Sequence, residues 1–161
     1  MKMSKKRIGE ILIEKGFITE AQLKEALEVQ KSSAGFLGNI MVDNGWISKD
    51  QLSEALAEQF GIPLVELKSQ HVDMELLRRF SSSLILDYQC FPLSEDENSV
   101  TVAIVNPLDA GAISKIEDAI KPRRVNLVMV AEEDLEEAIQ NYRQGISDGI
   151  RRLLKKEKNA E

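Results

Sequence analysis

One hydrophobic pattern occurs twice within residues 7–59, and this duplication is the dominant feature of the sequence. Residues 7–30 and 36–59 align without gaps at an offset of 29 residues and are identical at ten of 24 positions. Repeats of such length are usually supersecondary units that bury their apolar faces only against a neighbouring copy. Two copies are too few for a solenoid, so the pattern predicts a compact pseudo-symmetric pair.

Each copy predicts two short amphipathic helices joined by a tight turn. In the first copy Ile8, Ile11 and Leu12 fall on one helical face, and Gly16 follows where a left-handed C-terminal cap belongs. Thr19, with Gln22 three residues later, is the signature of a capping box at the start of the second helix. The second copy repeats each feature, which predicts a four-helix repeat bundle over residues 1–61.

The pattern changes after Pro63 to shorter, β-branched segments that alternate with helices. Together these segments predict a small α+β sandwich subdomain over residues 62–144, so the fold class is α+β. The predicted elements are a short strand at Leu64–Leu67, a helix from Asp73 to about Phe80, a further turn of helix from Ser81–Ser83, a hairpin of Cys90–Ser94 and Ser99–Val105, a helix containing Ile113, Ile116 and Ile120, a strand at Val125–Val130 and a helix at Glu132–Tyr142.

The two ends of the chain are charged and lack a core pattern. Residues 1–6 predict a short basic lead, and residues 145–161 are compatible with a helix, a linker or a frayed tail. The basic start is followed by Glu10 and Glu14 inside the apolar stretch, which indicates an amphipathic helix and not a signal peptide. Without a long apolar run we expect no direct membrane insertion, and the cytoplasm is the predicted compartment.

Composition excludes several function classes. The formal net charge of −6 argues against a nucleic-acid partner, which requires a basic face. One cysteine, Cys90, and one histidine, His71, cannot build a zinc cluster. Cys90 is predicted to be a core residue at the start of a strand, and His71 to be structural or exposed. The sequence contains no G-x-x-x-x-G-K-[ST] loop and no nucleophile motif. The chain is therefore predicted not to be an enzyme by itself, and no cofactor is predicted.

The doubled pattern RLGxxLxxxGxIxxxxLxxALxxQ resembles the MshEN domain, the amino-terminal module of type II secretion and type IV pilus ATPases. The resemblance covers about residues 5–143, including the strand that ends in the Asn106-Pro107 turn. It implies binding of cyclic di-GMP in some members. In others it implies docking to secretion or pilus machinery proteins at the inner membrane, which would make the chain peripheral there.

The resemblance also implies a ligand site along the two motifs, carried over position by position. The implied ligand-binding residues are Arg7, Ile8, Gly9, Ile11, Leu12, Gly16, Leu23, Leu27 and Gln30 in the first copy, then Phe36, Leu37, Gly38, Ile40, Met41, Gly45, Leu52, Leu56 and Gln59 in the second, with Asn106 at the later turn. A ligand with two guanines and two phosphates suits such a doubled surface. An arginine can stack on a purine or donate two hydrogen bonds to a guanine edge. Lys5, Lys6 and Lys31 are expected to add local positive charge.

Two positions depart from the family pattern. Phe36 opens the second motif where binding members often carry Arg, and Asn106 stands where Asp is frequent. Phe36 can stack on a base, but the missing charge-assisted hydrogen bonds are expected to weaken binding by about 1.5–3 kcal/mol.

Two functional hypotheses follow, and they can coexist. The first is a nucleotide-sensing module that binds cyclic di-GMP. The second is a protein-docking adaptor for the secretion or pilus platform that binds no nucleotide, which Phe36, Asn106 and the acidic total favour. Gly9 and Gly38 fit a packing role and a ligand role equally well, and Gly16 and Gly45 fit helix caps better than contacts.

Overall fold

The computed structural model describes residues 3–160, with side chains to residue 156. Residues 1–2 of the predicted basic lead and residue 161 of the predicted tail lie outside this range. The described residues form eight α-helices and a three-stranded sheet, which confirms the α+β class. The elements are α1 (Ile8–Glu14), α2 (Glu20–Ser32), α3 (Leu37–Asp43), α4 (Lys49–Phe60), α5 (Met74–Arg79), α6 (Ser82–Tyr88), β1 (Phe91–Glu95), β2 (Ser99–Ile104), α7 (Ala110–Ile120), β3 (Arg124–Met129) and α8 (Glu132–Ala160).

Helices α1 to α4 are the two predicted copies, and their ends are set by the predicted residues. The Thr19 hydroxyl accepts the Gln22 amide N–H at 3.2 Å, and the Gln22 side-chain oxygen accepts the Thr19 N–H at 2.9 Å. Ser48 and Gln51 repeat this capping box at the start of α4. Gly16 and Gly45 take φ values of +75° and +74°, a left-handed conformation that glycine adopts without steric cost.

The two copies exchange partners across the pair. Helix α1 packs against α4, and α2 packs against α3, so each copy covers the other's apolar face. The resulting repeat core is built from equivalent positions such as Ile11 and Ile40, Leu12 and Met41, and Ala26 and Ala55. At the end of α1, Lys15 binds the α4 carboxylates of Glu54 and Glu58 at 3.3 and 3.0 Å. These carboxylates raise the Lys15 pKa by hydrogen bonding.

The α+β half is built on a sheet of order β1-β2-β3. Strands β1 and β2 form the predicted antiparallel hairpin, and β3 runs parallel to β2. The strand and helix predictions for residues 73–130 are confirmed to within one or two residues at each end, except that the turn of helix predicted from Ser81–Ser83 is a longer helix, α6, which ends at Tyr88. The core of this half also contains Leu56 and Ala57 from α4, so residues on both sides of the predicted 61/62 boundary share one core.

Two predictions differ from the structure. Leu64–Leu67 is not a strand: Leu64 forms only an isolated bridge to Met129, and Leu67 begins a 3₁₀ turn. Pro63 offers no N–H to a ladder, so the segment keeps only the bonds of Val65 N–H and Pro63 C=O to Met129. The helix predicted at Glu132–Tyr142 is much longer, because α8 continues without a break to Ala160. Of the three alternatives for the tail, the described residues adopt the helix.

Candidate functional site

A groove of about 970 Å³ runs between the repeat helices and one edge of the α+β half. Its walls contain seven pairs of residues that are equivalent in the two copies. These pairs are Arg7 and Phe36, Ile8 and Leu37, Gly9 and Gly38, Glu10 and Asn39, Leu23 and Leu52, Leu27 and Leu56, and Gln30 and Gln59. We call this cavity the repeat groove. Its pseudo-symmetry follows from the duplicated sequence.

The glycine pairs let the second helix of each copy approach the first. A Cβ atom placed on Gly9 would lie 2.7 Å from Leu23 Cδ1, and one placed on Gly38 would clash with Leu52 Cδ1. The space next to each glycine is therefore filled by a leucine methyl group. The sequence left both a packing role and a ligand role open for Gly9 and Gly38. The structure supports the packing role directly, although both glycines also line the groove.

The opening residues of the two motifs share one backbone geometry but differ in chemistry. Arg7 and Phe36 are the N-cap residues of α1 and α3, with φ/ψ of −76°/156° and −73°/141°. The Arg7 N–H donates to Glu10 Oε2 at 3.4 Å, and its side chain is exposed at the groove. Phe36 is 52% exposed, which is unusual for a large apolar side chain.

The closing glutamines and Asn106 present amide groups to the groove. Gln30 Nε2 donates to the Gly35 carbonyl at 3.2 Å and so ties α2 to the spacer. The Gln59 carbonyl accepts the Ser4 N–H at 2.8 Å, while its side chain stays partly exposed. Asn106 Oδ1 accepts the Leu108 N–H at 3.0 Å in the turn after β2. Asn106 also lines the groove.

The charge lining the groove is acidic. Two basic side chains, Arg7 and Lys49, face five carboxylates, which are Glu10, Asp43, Asp50, Glu132 and Glu133. Lys49 pairs with Glu132 at 3.1 Å, and this hydrogen bond raises the Lys49 pKa. The lysines expected to add positive charge do not line the groove: Lys6 pairs with Glu14, and Lys31 pairs with Glu28. Arg7 is therefore its one basic side chain from the predicted set.

Six of the predicted site residues do not reach this groove. Ile11, Leu12, Ile40 and Met41 are at most 8% exposed, because the exchanged packing turns their helix face into the repeat core. Gly16 and Gly45 lie in the turns between helices and face open space. The structure brings together the other thirteen, including Asn106 from the α+β half.

Several groove residues were missed by the sequence reasoning. Glu10 and Asn39 follow the motif glycines at equivalent positions, so the repeat alignment carried a signal for them. Gln89, Val105, Leu108 and Ala131–Glu133 come from the α+β half, and only tertiary structure places them here. Sequence periodicity contains no information about that wall.

Groups with intrinsic chemical reactivity lie away from the groove. Cys90 is fully buried at the start of β1, where its thiol donates to the Leu84 carbonyl and burial raises its pKa to about 12. His71 is exposed in a loop. Within residues 3–160 no cluster of three or more His, Cys, Asp or Glu side chains is arranged for a metal ion. No helix of the described residues is long and apolar enough to cross a membrane.

Similarity to known proteins agrees with this architecture. The model of the MshEN domain matches residues 60–149, from the end of α4 into α8. The type IV pilus assembly ATPase PilB of Thermus thermophilus is 30% identical over 115 residues, which is 70% of this chain and 13% of that protein. PilB of Myxococcus xanthus is 25% identical over 136 residues, 84% of this chain and 24% of that protein. The chain thus spans less than a quarter of the length of both curated relatives.

Solved structures extend the likeness to the repeat helices. A structure of MshE with cdg (cyclic di-GMP) superposes with a TM-score of 0.78 at 26% identity, covering 86% of this chain and 99% of that chain. The N-terminal domain of XpsE superposes with a TM-score of 0.64 at 22% identity, covering 87% of this chain and 96% of that chain, which supports the fold alone. With a family match over more than half of its residues, this chain belongs to the MshEN domain family.

Proposed function

We propose that this chain is a non-catalytic regulatory module of a type IV pilus or type II secretion ATPase system that binds cyclic di-GMP in the repeat groove. The observation that carries the proposal is the set of seven repeat-equivalent pairs lining one cavity. A ligand with internal two-fold symmetry can make similar contacts with both copies. The similarity to MshE, whose structure contains cyclic di-GMP, supports the same assignment.

The groove supplies the contact types that such a ligand needs. Apolar walls formed by Leu23, Leu27, Leu52 and Leu56 offer surfaces for base and ribose faces. Arg7 offers a planar cation that can stack on a guanine or donate to its edge. Gln30 and Gln59 offer donors and acceptors at the ends of α2 and α4. Each of these proposed ligand contacts uses a residue that already lines the repeat groove in the folded chain.

Calorimetric titration of the chain with cyclic di-GMP tests the proposal, with GTP and cyclic di-AMP as nucleotide controls. We expect guanine-specific binding that is lost in Arg7→Ala and kept in Lys24→Ala, a basic residue of α2 outside the repeat groove. The absence of heat and of a thermal shift at high ligand concentration would contradict it.

A second candidate function is protein docking without a nucleotide, and the acidic lining favours it. Five carboxylates against two basic side chains attract a cationic segment more readily than a dianion. Phe36 at 52% exposure and Leu27 at 42% leave apolar surface uncovered at the groove, and aromatic side chains such as Phe36 are enriched at protein interfaces. The partner would be a basic segment of the pilus or secretion machinery.

The proposed place of action is the cytoplasmic face of the inner membrane, reached through partner proteins. Both curated relatives are pilus assembly ATPases, and the chain matches a limited part of each. In this proposal the ATPase reaction belongs to another part of the system. An ATP hydrolysis assay on this chain alone should give no turnover above that of a denatured sample.

A further inference from the structure

The second half of α8 carries an apolar stripe that nothing in the described chain covers. On one face of this helix Leu135 and Ile139 are 1% and 8% exposed, because they pack into the core of the α+β half. The same face continues through Ile146, Ile150 and Leu153, which are 40%, 53% and 64% exposed. The helix thus extends past the body with its core-facing stripe uncovered.

A second cavity begins where this stripe begins. A groove of about 650 Å³, which we call the α5–α8 groove, lies between α5 and the side of α8. Its apolar wall includes Met74, Leu77 and Phe91, and Ile146 belongs to both the groove and the stripe. The groove and the stripe therefore form one continuous apolar surface, larger than the scattered exposed side chains of an ordinary monomer.

The tail of α8 and the rest of the chain have opposite charges. Residues 143–156 contain five basic residues and one acidic residue, a charge of +4, while the whole chain carries −6, so the rest of the chain carries −10. The lining of the α5–α8 groove holds two carboxylates, Asp134 and Glu137, and two basic side chains, Lys68 and Arg78. Lys68 lies 4.0 and 3.6 Å from the two carboxylates. The groove lining is balanced in charge, so the apolar helix suits the groove by surface type, and its positive charge suits the acidic remainder of the chain.

We propose that the two surfaces bind each other between two copies of this chain, with the α8 tail of each copy in the α5–α8 groove of the other. A straight α8 cannot place its own tail in a groove that its own Ile146 lines. Reciprocal exchange between two copies satisfies both surfaces and closes with two-fold symmetry. It also brings each +4 segment next to the acidic body of the partner.

The position of the stripe favours a second copy over a lipid surface. The stripe faces the same side of α8 as the body does, because it continues the buried positions Leu135 and Ile139 in phase. A flat membrane on that side would meet the α+β half before it met the stripe. A protein partner that fits beside the body has no such obstruction.

Sedimentation velocity of the whole chain over a concentration series tests the proposal. We expect a reversible dimer whose dissociation constant rises about tenfold or more in Leu153→Glu, in the tail, and also in Met74→Glu, in the groove. Val29→Glu is the matched control, because Val29 is 39% exposed on α2, away from both surfaces. Circular dichroism verifies that each variant is folded, and added NaCl should weaken the wild-type dimer.

Mixing the two variants separates exchange from other modes of pairing. Neither variant alone keeps an intact tail–groove contact, whereas the mixture of Leu153→Glu and Met74→Glu restores one, so we expect a heterodimer tighter than either homodimer. A wild-type chain that stays monomeric at its highest soluble concentration would overturn the proposal. So would a Met74→Glu variant that dimerises like the wild type, since tail-to-tail pairing alone predicts that result.

Discussion

At the residue scale, duplication has conserved geometry more strictly than polar chemistry. Arg7 and Phe36 have nearly the same backbone angles and open the same motif, yet one brings a cation and the other an apolar ring. Glu10 and Asn39 differ in the same way. The groove is therefore symmetric in its apolar walls and asymmetric in its charges, so single substitutions that restore or remove a charge should report on the ligand.

Replacing Phe36 with Arg should tighten cyclic di-GMP binding by about 1.5–3 kcal/mol, because it supplies a charge-assisted hydrogen-bond donor at the second opening position. Calorimetry measures the change directly. Val29→Arg adds the same charge outside the groove and should leave binding within a few-fold of wild type. Weaker binding of Phe36→Arg would mean that the Phe36 ring itself stacks on a base.

Neutralising one groove carboxylate should distinguish the two candidate functions. Glu133→Gln removes a negative charge from the lining, so an anionic nucleotide should bind a few-fold tighter at low salt and by a smaller margin at high salt. A basic peptide partner should respond with the opposite sign. Glu136→Gln, three residues further along α8 and outside the lining of this groove, is the control for the change in total charge.

At the element scale, one carboxylate joins three separate segments of the α+β half. Glu95 at the end of β1 accepts from Arg123 at 2.5 Å and from Arg79 at the end of α5. Its side chain is 18% exposed. Hydrogen bonds lower the pKa of the Glu95 carboxyl, with Arg123 contributing most and Arg79 next. This cluster links α5, the hairpin and the segment after α7.

The cluster should make unfolding sensitive to acid. A carboxyl group whose pKa is lower in the folded state stabilises the fold above its unfolded pKa of about 4.3, and that contribution disappears as the pH falls through the folded pKa. Urea unfolding between pH 3 and 6 should therefore show stability falling below about pH 5. Glu95→Gln should flatten part of this slope, whereas Glu97→Gln, an exposed neighbour in the turn, should not.

Local sequence signals predicted the elements because they are short-range. Capping boxes at Thr19 and Ser48, left-handed glycines at 16 and 45, and the Asp73 cap each act within four residues and are present as predicted. The hairpin and the strand β3 followed from β-branched runs between polar turns. Twelve of the thirteen predicted site positions that reach the groove do so because the repeat placed them on equivalent faces, and Asn106 is the thirteenth.

The parts of the fold and of the site that the sequence did not predict depend on contacts between segments that are distant along the chain. The four buried motif residues, among them Leu12 and Met41, could not be separated from the groove residues without the exchange of helices between copies. The acidic wall at Glu132 and Glu133 arrives from about 75 residues beyond the repeat. Helix α8 extends beyond the α+β half that buries its first turns. Its apolar stripe continues past that point, so the sequence pattern did not show where the covered part of the helix ends.

At the scale of the whole molecule, two cores meet at the repeat groove. Ile8 and Leu52 pack against both the repeat core and the core of the α+β half, and both line the groove. A ligand there would contact the joint between the halves. Binding would then stabilise the two halves together, since a ligand that binds only the folded state shifts unfolding by mass action.

Leu52→Ala should weaken this joint selectively. Its side chain fills the space over Gly38 and touches both cores, so its loss should cost about 2 kcal/mol or more. It should also separate the unfolding of the two halves. Trp46, the only tryptophan, packs on the repeat core, whereas Tyr142 packs on the other core, so fluorescence can follow each half in urea.

The wild type should show coincident transitions for both probes, and Leu52→Ala should show the Trp46 transition at lower urea. Leu27→Ala is the matched control, because Leu27 lines the same groove at 42% exposure but belongs to neither core. If both leucine variants keep coincident transitions, Leu52 is not the joint, and the halves are held together by Leu56 and Ala57, which α4 contributes to the core of the α+β half. Coupling that does pass through Leu52 would let a ligand in the groove control how firmly the repeat helices are held against the α+β half.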